Sequence, residues 1–247
     1  MFRSRVITYA QNKEDLILWG YFHTFKKKGF YIDIGANDPV EDSVTNFFYI
    51  RGWSGINVEP QSMCHELLCK SRLRDINLQI GVSDKKGSDE ITTFKNTGIS
   101  TLNKVVASGY SSEDARVLTI KTDTLSDLIV KYAKNKEIHF LKIDVEGYEG
   151  KVVGGNDWAK YRPWVICIEH TWKPEKWSKI LLKNDYVLHI FDGLNAFYVA
   201  LERKALIDSY IVFSNSESIR FNDANTIRRV LPVARVVNKV ASYFNGF

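Results

Sequence analysis

The run Gly29-Phe30-Tyr31-Ile32-Asp33-Ile34-Gly35-Ala36-Asn37-Asp38 constrains the fold of this chain more than any other segment. An apolar stretch over 30–34 ends beside an acid and a glycine, and reads as a short buried strand. Asp38-Pro39-Val40-Glu41 then supplies an N-cap acid, a proline at N1 and a glutamate three residues on, predicting a helix that stops at Gly52. Gly35 lets a ligand approach the backbone where a Cβ would block it, and the helix start offers free N–H groups. A binding site at the end of the first strand is therefore expected.

Apolar runs alternate with helical patterns from residue 30 to about 183, the signature of an α/β chain with a doubly wound, mostly parallel sheet. A strand over 55–58 ends at Glu59-Pro60. A helix over 61–71, a strand over 76–82, a turn at 84–87 and an extended piece over 90–94 follow. Residues 95–115 are rich in Ser, Thr, Gly and Asn, and read as a lid or substrate loop. Beyond them the pattern predicts a helix over 124–134, a strand over 138–143, a helix from near Tyr148, a strand over 165–168 and a helix over 175–183. Strands over 186–191 and 196–201 flank Asp192-Gly193-Leu194-Asn195, which suits a β-hairpin. A hairpin closing a parallel sheet argues against a dinucleotide-binding dehydrogenase, which continues with parallel units.

With 247 residues and 45% hydrophobic content, the chain can bury the core of one main domain. We divide it into a cap helix segment over 1–28, a catalytic domain over 29–202 and an extension over 203–247. A formal charge of +5 is too small and too mixed to argue for a nucleic-acid partner. Cys64, Cys69 and Cys167 have no metal-ligand spacing and read as reduced packing thiols. The start lacks the apolar core of a signal peptide, and no apolar run approaches the roughly 20 residues that span a bilayer. A cytoplasmic location is expected.

The turn Asp33-Ile34-Gly35-Ala36-Asn37-Asp38 has one glycine where a dinucleotide fingerprint needs three. A cofactor without a pyrophosphate fits better, and S-adenosylmethionine is such a cofactor. Asp33 is placed to pair with its ammonium, the backbone around Gly35, Ala36 and Asn37 to meet its carboxylate, and Glu59 to accept its ribose hydroxyls. Ser83, closing the third strand with Asp84, would reach the adenine edge. Lys142 falls inside a strand that should be buried, where an unpaired ammonium is costly. Period-two alternation puts Asp144 on its face, so an ion pair or a tuned amine is expected. Glu146 follows at the strand tip, and Glu169-His170 ends the next strand. His170, Glu146, Lys142 and Glu169 are the candidate catalytic groups, with His170 favoured as base by its near-neutral pKa. Asp144, Glu169 and His170 are also a possible ligand set for a divalent metal.

With these residues placed, the chain resembles the FkbM family of S-adenosylmethionine-dependent methyltransferases. The resemblance runs from about Tyr9 to Leu201. It rests on Tyr9-Ala10-Gln11-Asn12-Lys13-Glu14-Asp15-Leu16-Ile17-Leu18, Ile32-Asp33-Ile34-Gly35-Ala36-Asn37-Asp38, Arg51-Gly52-Trp53-Ser54-Gly55-Ile56-Asn57-Val58-Glu59-Pro60, Gly98-Ile99-Ser100-Thr101-Leu102, Leu141-Lys142-Ile143-Asp144-Val145-Glu146-Gly147 and Phe191-Asp192-Gly193-Leu194-Asn195-Ala196-Phe197-Tyr198-Val199. It implies a seven-stranded methyltransferase sheet, Rossmann-like, with a reversed last strand. It also implies methyl transfer to oxygen, often on a sugar of a bacterial surface polysaccharide such as O-antigen or capsule, or on a secondary metabolite. Gln11, Glu14 and Asp15 would then belong to a helix covering the cofactor, and Ser43, Pro60 and Asp144 join the cofactor-binding set. Ser100 and Thr101 become candidate sugar contacts. Trp158, Trp164, Trp172 and Trp177 are read first as core.

Beyond Asp223 no acid appears, while Arg228, Arg229, Arg235 and Lys239 punctuate apolar residues at spacings of three and four. This predicts a basic amphipathic helix at the end of the chain, suited to an anionic inner-membrane surface, to a glycosyltransferase partner or to packing on protein. Two rival functions are a nicotinamide-dependent sugar oxidoreductase and a non-catalytic membrane-recruiting scaffold.

Overall fold

In a computed structural model of the chain, residues 6–94, 100–102, 108, 115–170, 174–213 and 216–218 are described. The predicted C-terminal helix and Trp172 lie outside them. In chain order the elements begin with β1 (Val6–Thr8), α1 (Glu14–Phe22), β2 (Phe30–Ile34), α2 (Asn46–Tyr49), β3 (Ser54–Val58), α3 (Ser62–Ser71) and β4 (Ile76–Leu78). Next come β5 (Gly81–Ser83), β6 (Gly87–Phe94), β7 (Ser100–Thr101), β8 (Ala115–Thr124), α4 (Leu125–Tyr132), β9 (Phe140–Ile143) and α5 (Glu149–Gly154). The last are β10 (Val165–Glu169), α6 (Pro174–Lys183), β11 (Tyr186–Phe191), β12 (Asn195–Ala200), α7 (Ala205–Asp208) and β13 (Ser216–Ser218).

Seven strands form the main sheet in the order β4-β3-β2-β9-β10-β12-β11. All pair in parallel except β12, which runs antiparallel to both β10 and β11. The closing hairpin and its reversed strand are thus as expected. The order in which successive strands are added reverses between the parallel neighbours β2 and β9, so their carboxyl ends flank the topological switch point where open α/β sheets bind ligands.

Period-two alternation sorts the strand residues onto two covered faces. Ile32, Ile34, Ile56, Leu141, Ile143 and Ile166 pack beneath α4, α5 and α6. Tyr31, Phe140, Cys167 and Phe197 face α1 and α2 instead, in an aromatic layer where Tyr31 stacks on Phe140 at 5.4 Å and Phe48 lies 4.6 Å from Phe140. Each fully buried side chain of this size contributes about 1.5–3 kcal/mol. Asp33 and Lys142 sit on this second face, at the edge of an apolar layer, so their charges must be met locally.

Three boundaries depart from the sequence expectation. Asp38 does cap, its Oδ1 accepting from Val40 N at 2.7 Å and Glu41 N at 2.8 Å. Asp42 then takes a left-handed φ of 50°, which stops helix propagation, and only Asn46–Tyr49 is helical. The apolar run over 76–82 is two strands: β4 pairs with β3, whereas β5 leaves for a second sheet of order β5-β8-β6-β7. That sheet contains an unforeseen ten-residue strand, β8, antiparallel to β6 from Gly87↔Thr122 to Phe94↔Ala115. Half of β8 is exposed and one of its residues is buried, so no buried stripe announced it. Residues 95–99, 103–107 and 109–114 of the predicted lid lie outside the described residues.

Candidate active site

The close approach of two strand tips builds the site. Gly35 has φ +81°, and a Cβ there would fall 1.8 Å from the carbonyl oxygen of Asp144. Only glycine lets β2 turn away beneath the segment leaving β9. Between these tips lies a cleft of about 40 Å³, floored by Gly35, Glu59, Pro60 and Asp144 and walled by Ile80, Val82, Ile91, Leu102 and Val145. Ile91 and Leu102 come from the second sheet and its edge, so that sheet closes one side. A nucleoside needs a larger space, on the order of 300 Å³ or more.

Glu59 is buried at the end of β3, with Oε2 accepting from Asn37 N at 2.9 Å and Oε1 from Gln61 N at 2.8 Å. Burial pushes its carboxyl up to about 7, although the two backbone N–H groups favour the charged form. Gly35 N and Ala36 N donate to Val58 O at 3.0 and 3.1 Å. The expectation of free N–H groups at this turn is therefore corrected: those of residues 35, 36 and 37 are all spent inside the protein, bracing β2 against β3. Asn37, at φ 50°, accepts from Cys64 Sγ through its side chain at 3.2 Å.

Lys142 is the centre of the charge network. Its Nζ lies 3.5 Å from Asp33 Oδ1 and 3.3 Å from Asp144 Oδ2, and donates to Gly35 O at 3.2 Å. Burial opposes its charge, but Asp144 and Asp33 outweigh that and raise its pKa above the ordinary lysine value. This geometry makes Lys142 the ion-pair partner of two carboxylates. Asp33 is 1% exposed, and its other oxygen accepts from Thr45 Oγ1 at 2.8 Å. It is turned inward onto Lys142 and does not line the cleft. Asp144 does, with 41% of its side chain exposed.

Glu146 stands just beyond, at a left-handed φ of 52°. Burial first, then Asp144 and Glu149, lift its carboxyl to about 7. His170 lies elsewhere in character: its ring packs edge-on to Trp177 at 5.4 Å and against Phe191 at 5.3 Å, and burial lowers its pKa. Glu169 precedes it on β10, opposite Asn195 of β12. Among the described residues no group of three or more His, Cys, Asp or Glu side chains is placed to hold a metal ion, so the predicted set Asp144, Glu169 and His170 does not assemble as one.

Three further predicted contacts take other roles. Gln11 is exposed ahead of α1. Ser43 is 3% exposed, its hydroxyl accepts from Arg72 Nη2 at 2.9 Å, and it is not among the residues that line the cleft. Ser83 bonds Asp84 and Tyr148 at 3.3 and 3.4 Å, tying the second sheet to α5. Glu14 and Asp15, expected in a helix covering the cofactor, lie in α1 and are buried. Glu14 takes Asn195 Nδ2 and Asn12 N at 2.9 Å each, and Asp15 takes Thr8 Oγ1, Tyr9 N and Leu16 N. They anchor α1 to the loop before it, and Glu14 joins it to β12.

The family model of the Methyltransferase FkbM domain matches residues 33–198, from the end of β2 to β12. The chain belongs to the FkbM methyltransferase family. No curated protein matches it. The matched span of this FkbM methyltransferase contains Glu59, Lys142, Asp144, Glu146 and the whole second sheet.

Within this FkbM methyltransferase, sequence reasoning missed a buried network under the turn that follows β2. Arg72 is 1% exposed; it donates to Pro39 O at 3.0 and 2.5 Å and to Ser43 Oγ, and lies 3.7 Å from Asp75. Asp75 also takes Tyr31 Oη at 2.6 Å, Gly55 N at 2.8 Å and Asn57 Nδ2 at 3.0 Å. The network clamps residues 39–43 to β2 and β3. Trp158 and Trp177 are core residues, as expected.

Proposed function

We propose that this FkbM methyltransferase uses S-adenosylmethionine to methylate a hydroxyl of a sugar, in a bacterial surface glycan such as O-antigen or capsule. The observation that supports this most is Glu59, a buried carboxylate at a strand tip beside a glycine turn and an apolar wall. Such a group accepts both hydroxyls of a ribose, while Ile80, Val82 and Ile91 suit an adenine. Bound there, the cofactor supplies an electrophilic methyl group on a sulfonium. Asp144, on the open side of the Lys142 network, replaces Asp33 as partner for an ammonium. Asp33 acts through Lys142, fixing the ion pair that orients Asp144.

Glu146 is the base in this reading, since a carboxyl near pKa 7 takes up a proton from a hydroxyl at neutral pH without being permanently charged. Positioning of the hydroxyl in line with the methyl group supplies much of the remaining rate. The sugar and its glycan follow from family resemblance, with a secondary-metabolite hydroxyl as the second substrate class. We assign the protein to the cytoplasmic side of the inner membrane, docked on anionic lipid or a glycosyltransferase through the basic residues after Asp223. Among the described residues no helix is long and apolar enough to cross a membrane.

Calorimetry tests the cofactor. S-adenosylhomocysteine should bind, and Glu59→Ala should weaken it about tenfold or more, the loss of a charged hydrogen-bonding group being worth about 1.5–3 kcal/mol. Binding of NAD in its place would overturn the assignment in favour of a sugar oxidoreductase. Mass spectrometry of candidate glycans incubated with the enzyme and S-adenosylmethionine should show one methyl group in place of a hydroxyl hydrogen, with S-adenosylhomocysteine as the other product.

A further inference from the structure

A groove of about 700 Å³ opens at the opposite end of the sheet, at the amino ends of β9 and β10. Residues 133–138 after α4 form one wall, and residues 160–164 leading into β10 another. Glu202 and Arg203 complete it, because antiparallel β12 ends where β10 begins, with Val199 opposite Val165. None of these residues touches the cofactor cleft.

Five cations face this groove against two carboxylates. Both carboxylates are committed to the two arginines. Arg162 meets Glu202 through two contacts, at 2.6 and 2.9 Å, and spends Nη1 on the carbonyls of Trp158 and Asn184. Arg203 reaches Glu137 at 3.0 Å while its guanidinium lies 4.0 Å above the Trp164 ring. Lys134, Lys136 and Lys160 are exposed, and no ion pair joins them to a carboxylate among the described residues. Lys136 sits 4.3 Å over Phe30 and Lys160 5.2 Å from the Tyr161 ring centre, contacts that orient an ammonium without neutralising it. The carboxyl end of α4 offsets about half a charge, so a clear positive excess remains.

We infer that this groove binds a phosphate-bearing ligand at a second site, independent of the cofactor assignment. Arg162 spends its fork on Glu202, and Arg203 is held to Glu137 through Nη2, so a bidentate carboxylate is not the ligand this groove reads best. The donors left over are three ammonium groups, compact point charges that suit the tetrahedral oxygens of a phosphate or diphosphate. The volume is that of a small-molecule site. The phosphate could be carried by a soluble compound or by a lipid headgroup.

The test uses the full chain and the triple variant Lys134→Gln/Lys136→Gln/Lys160→Gln, with equal thermal midpoints as the control for folding. Inorganic pyrophosphate is titrated calorimetrically, and phosphatidylcholine vesicles containing phosphatidic acid are used in sedimentation. Saturable pyrophosphate binding that weakens about tenfold or more in the variant, and fades with added salt, supports a soluble phosphate ligand. Vesicle binding alone, lost in the variant, supports a lipid-borne phosphate. The basic residues after Asp223 act alike in both proteins, so only a difference between them reports on the groove: pyrophosphate binding that is absent or equal in the two, together with vesicle binding that does not fall in the variant, overturns the inference. Neither result depends on S-adenosylhomocysteine binding, so the two proposals fail separately.

Discussion

The Lys142 ammonium lies 3.5 Å from Oδ1 of Asp33, its register partner on the neighbouring parallel strand. Both side chains are almost fully buried, so neither charge has water to fall back on. Lys142→Met should therefore cost about 3–5 kcal/mol in urea unfolding near neutral pH, the usual consequence of leaving one member of a buried pair alone. The loss should shrink in acid. Burial already raises the Asp33 pKa, and without Lys142 the carboxyl simply protonates as the pH falls. A loss below about 1 kcal/mol would mean the pair is not stabilising relative to an apolar replacement.

Gly35→Ala tests the contact between β2 and the end of β9. The added Cβ meets the Asp144 carbonyl at 1.8 Å in a backbone conformation of φ +81°, so steric overlap and left-handed strain act together. A drop of more than about 2 kcal/mol in unfolding free energy is expected, with loss of S-adenosylhomocysteine binding. A variant of near-normal stability would show that the two tips separate easily.

The strands of the main sheet were legible because parallel strands buried on both faces are apolar runs, in which Asp33, Lys142 and the terminal Glu59 stand out. The Lys142–Asp144 pair follows from period two within one strand. Asp33 completes it only because β9 inserts beside β2, a matter of strand order that local spacing does not encode. Ser43 was misplaced for a similar reason: the guanidinium it meets belongs to Arg72, 29 residues away. His170 drew attention through its ordinary pKa, whereas its surroundings, Trp177 on α6 and Phe191 on β11, are set by tertiary packing. β8 carried no signal because a strand with one buried residue has no burial stripe.

Stability should fall as the pH rises above neutral. Burial lifts Glu14 to about 8, Glu59, Glu146 and Glu149 to about 7 and Asp15 to about 6. These acids hold protons in the folded state that the unfolded chain has already released, so each further rise in pH favours unfolding. His139, His170 and His189 act in the other direction, since burial lowers their pKa values and acid favours the unfolded state. Those imidazoles are neutral in both states above about pH 7, and the thiols of Cys64 and Cys167, which burial also raises, add to the acids in the same direction as the pH approaches 9. Urea unfolding should show a loss of about 1–3 kcal/mol between about pH 7 and 9. A flat or rising profile in that window would contradict the buried acids.

Glu146 and His170 make opposite kinetic predictions. If Glu146 accepts the hydroxyl proton, Glu146→Gln should lower kcat by about 10²–10⁴ while S-adenosylhomocysteine binding stays within a few fold. The wild-type rate should rise through about pH 7, where the carboxyl ionises, and the variant should lose that limb. His170→Ala removes an imidazole packed on Trp177 and Phe191, so its effect should fall on stability, with kcat reduced less than about tenfold. A large kcat loss in His170→Ala, together with a mild Glu146→Gln, would reassign the base to the histidine. The pH limb separates the cases further: an imidazole whose pKa is lowered by burial places it below 6.5, whereas the raised carboxyl of Glu146 places it near 7.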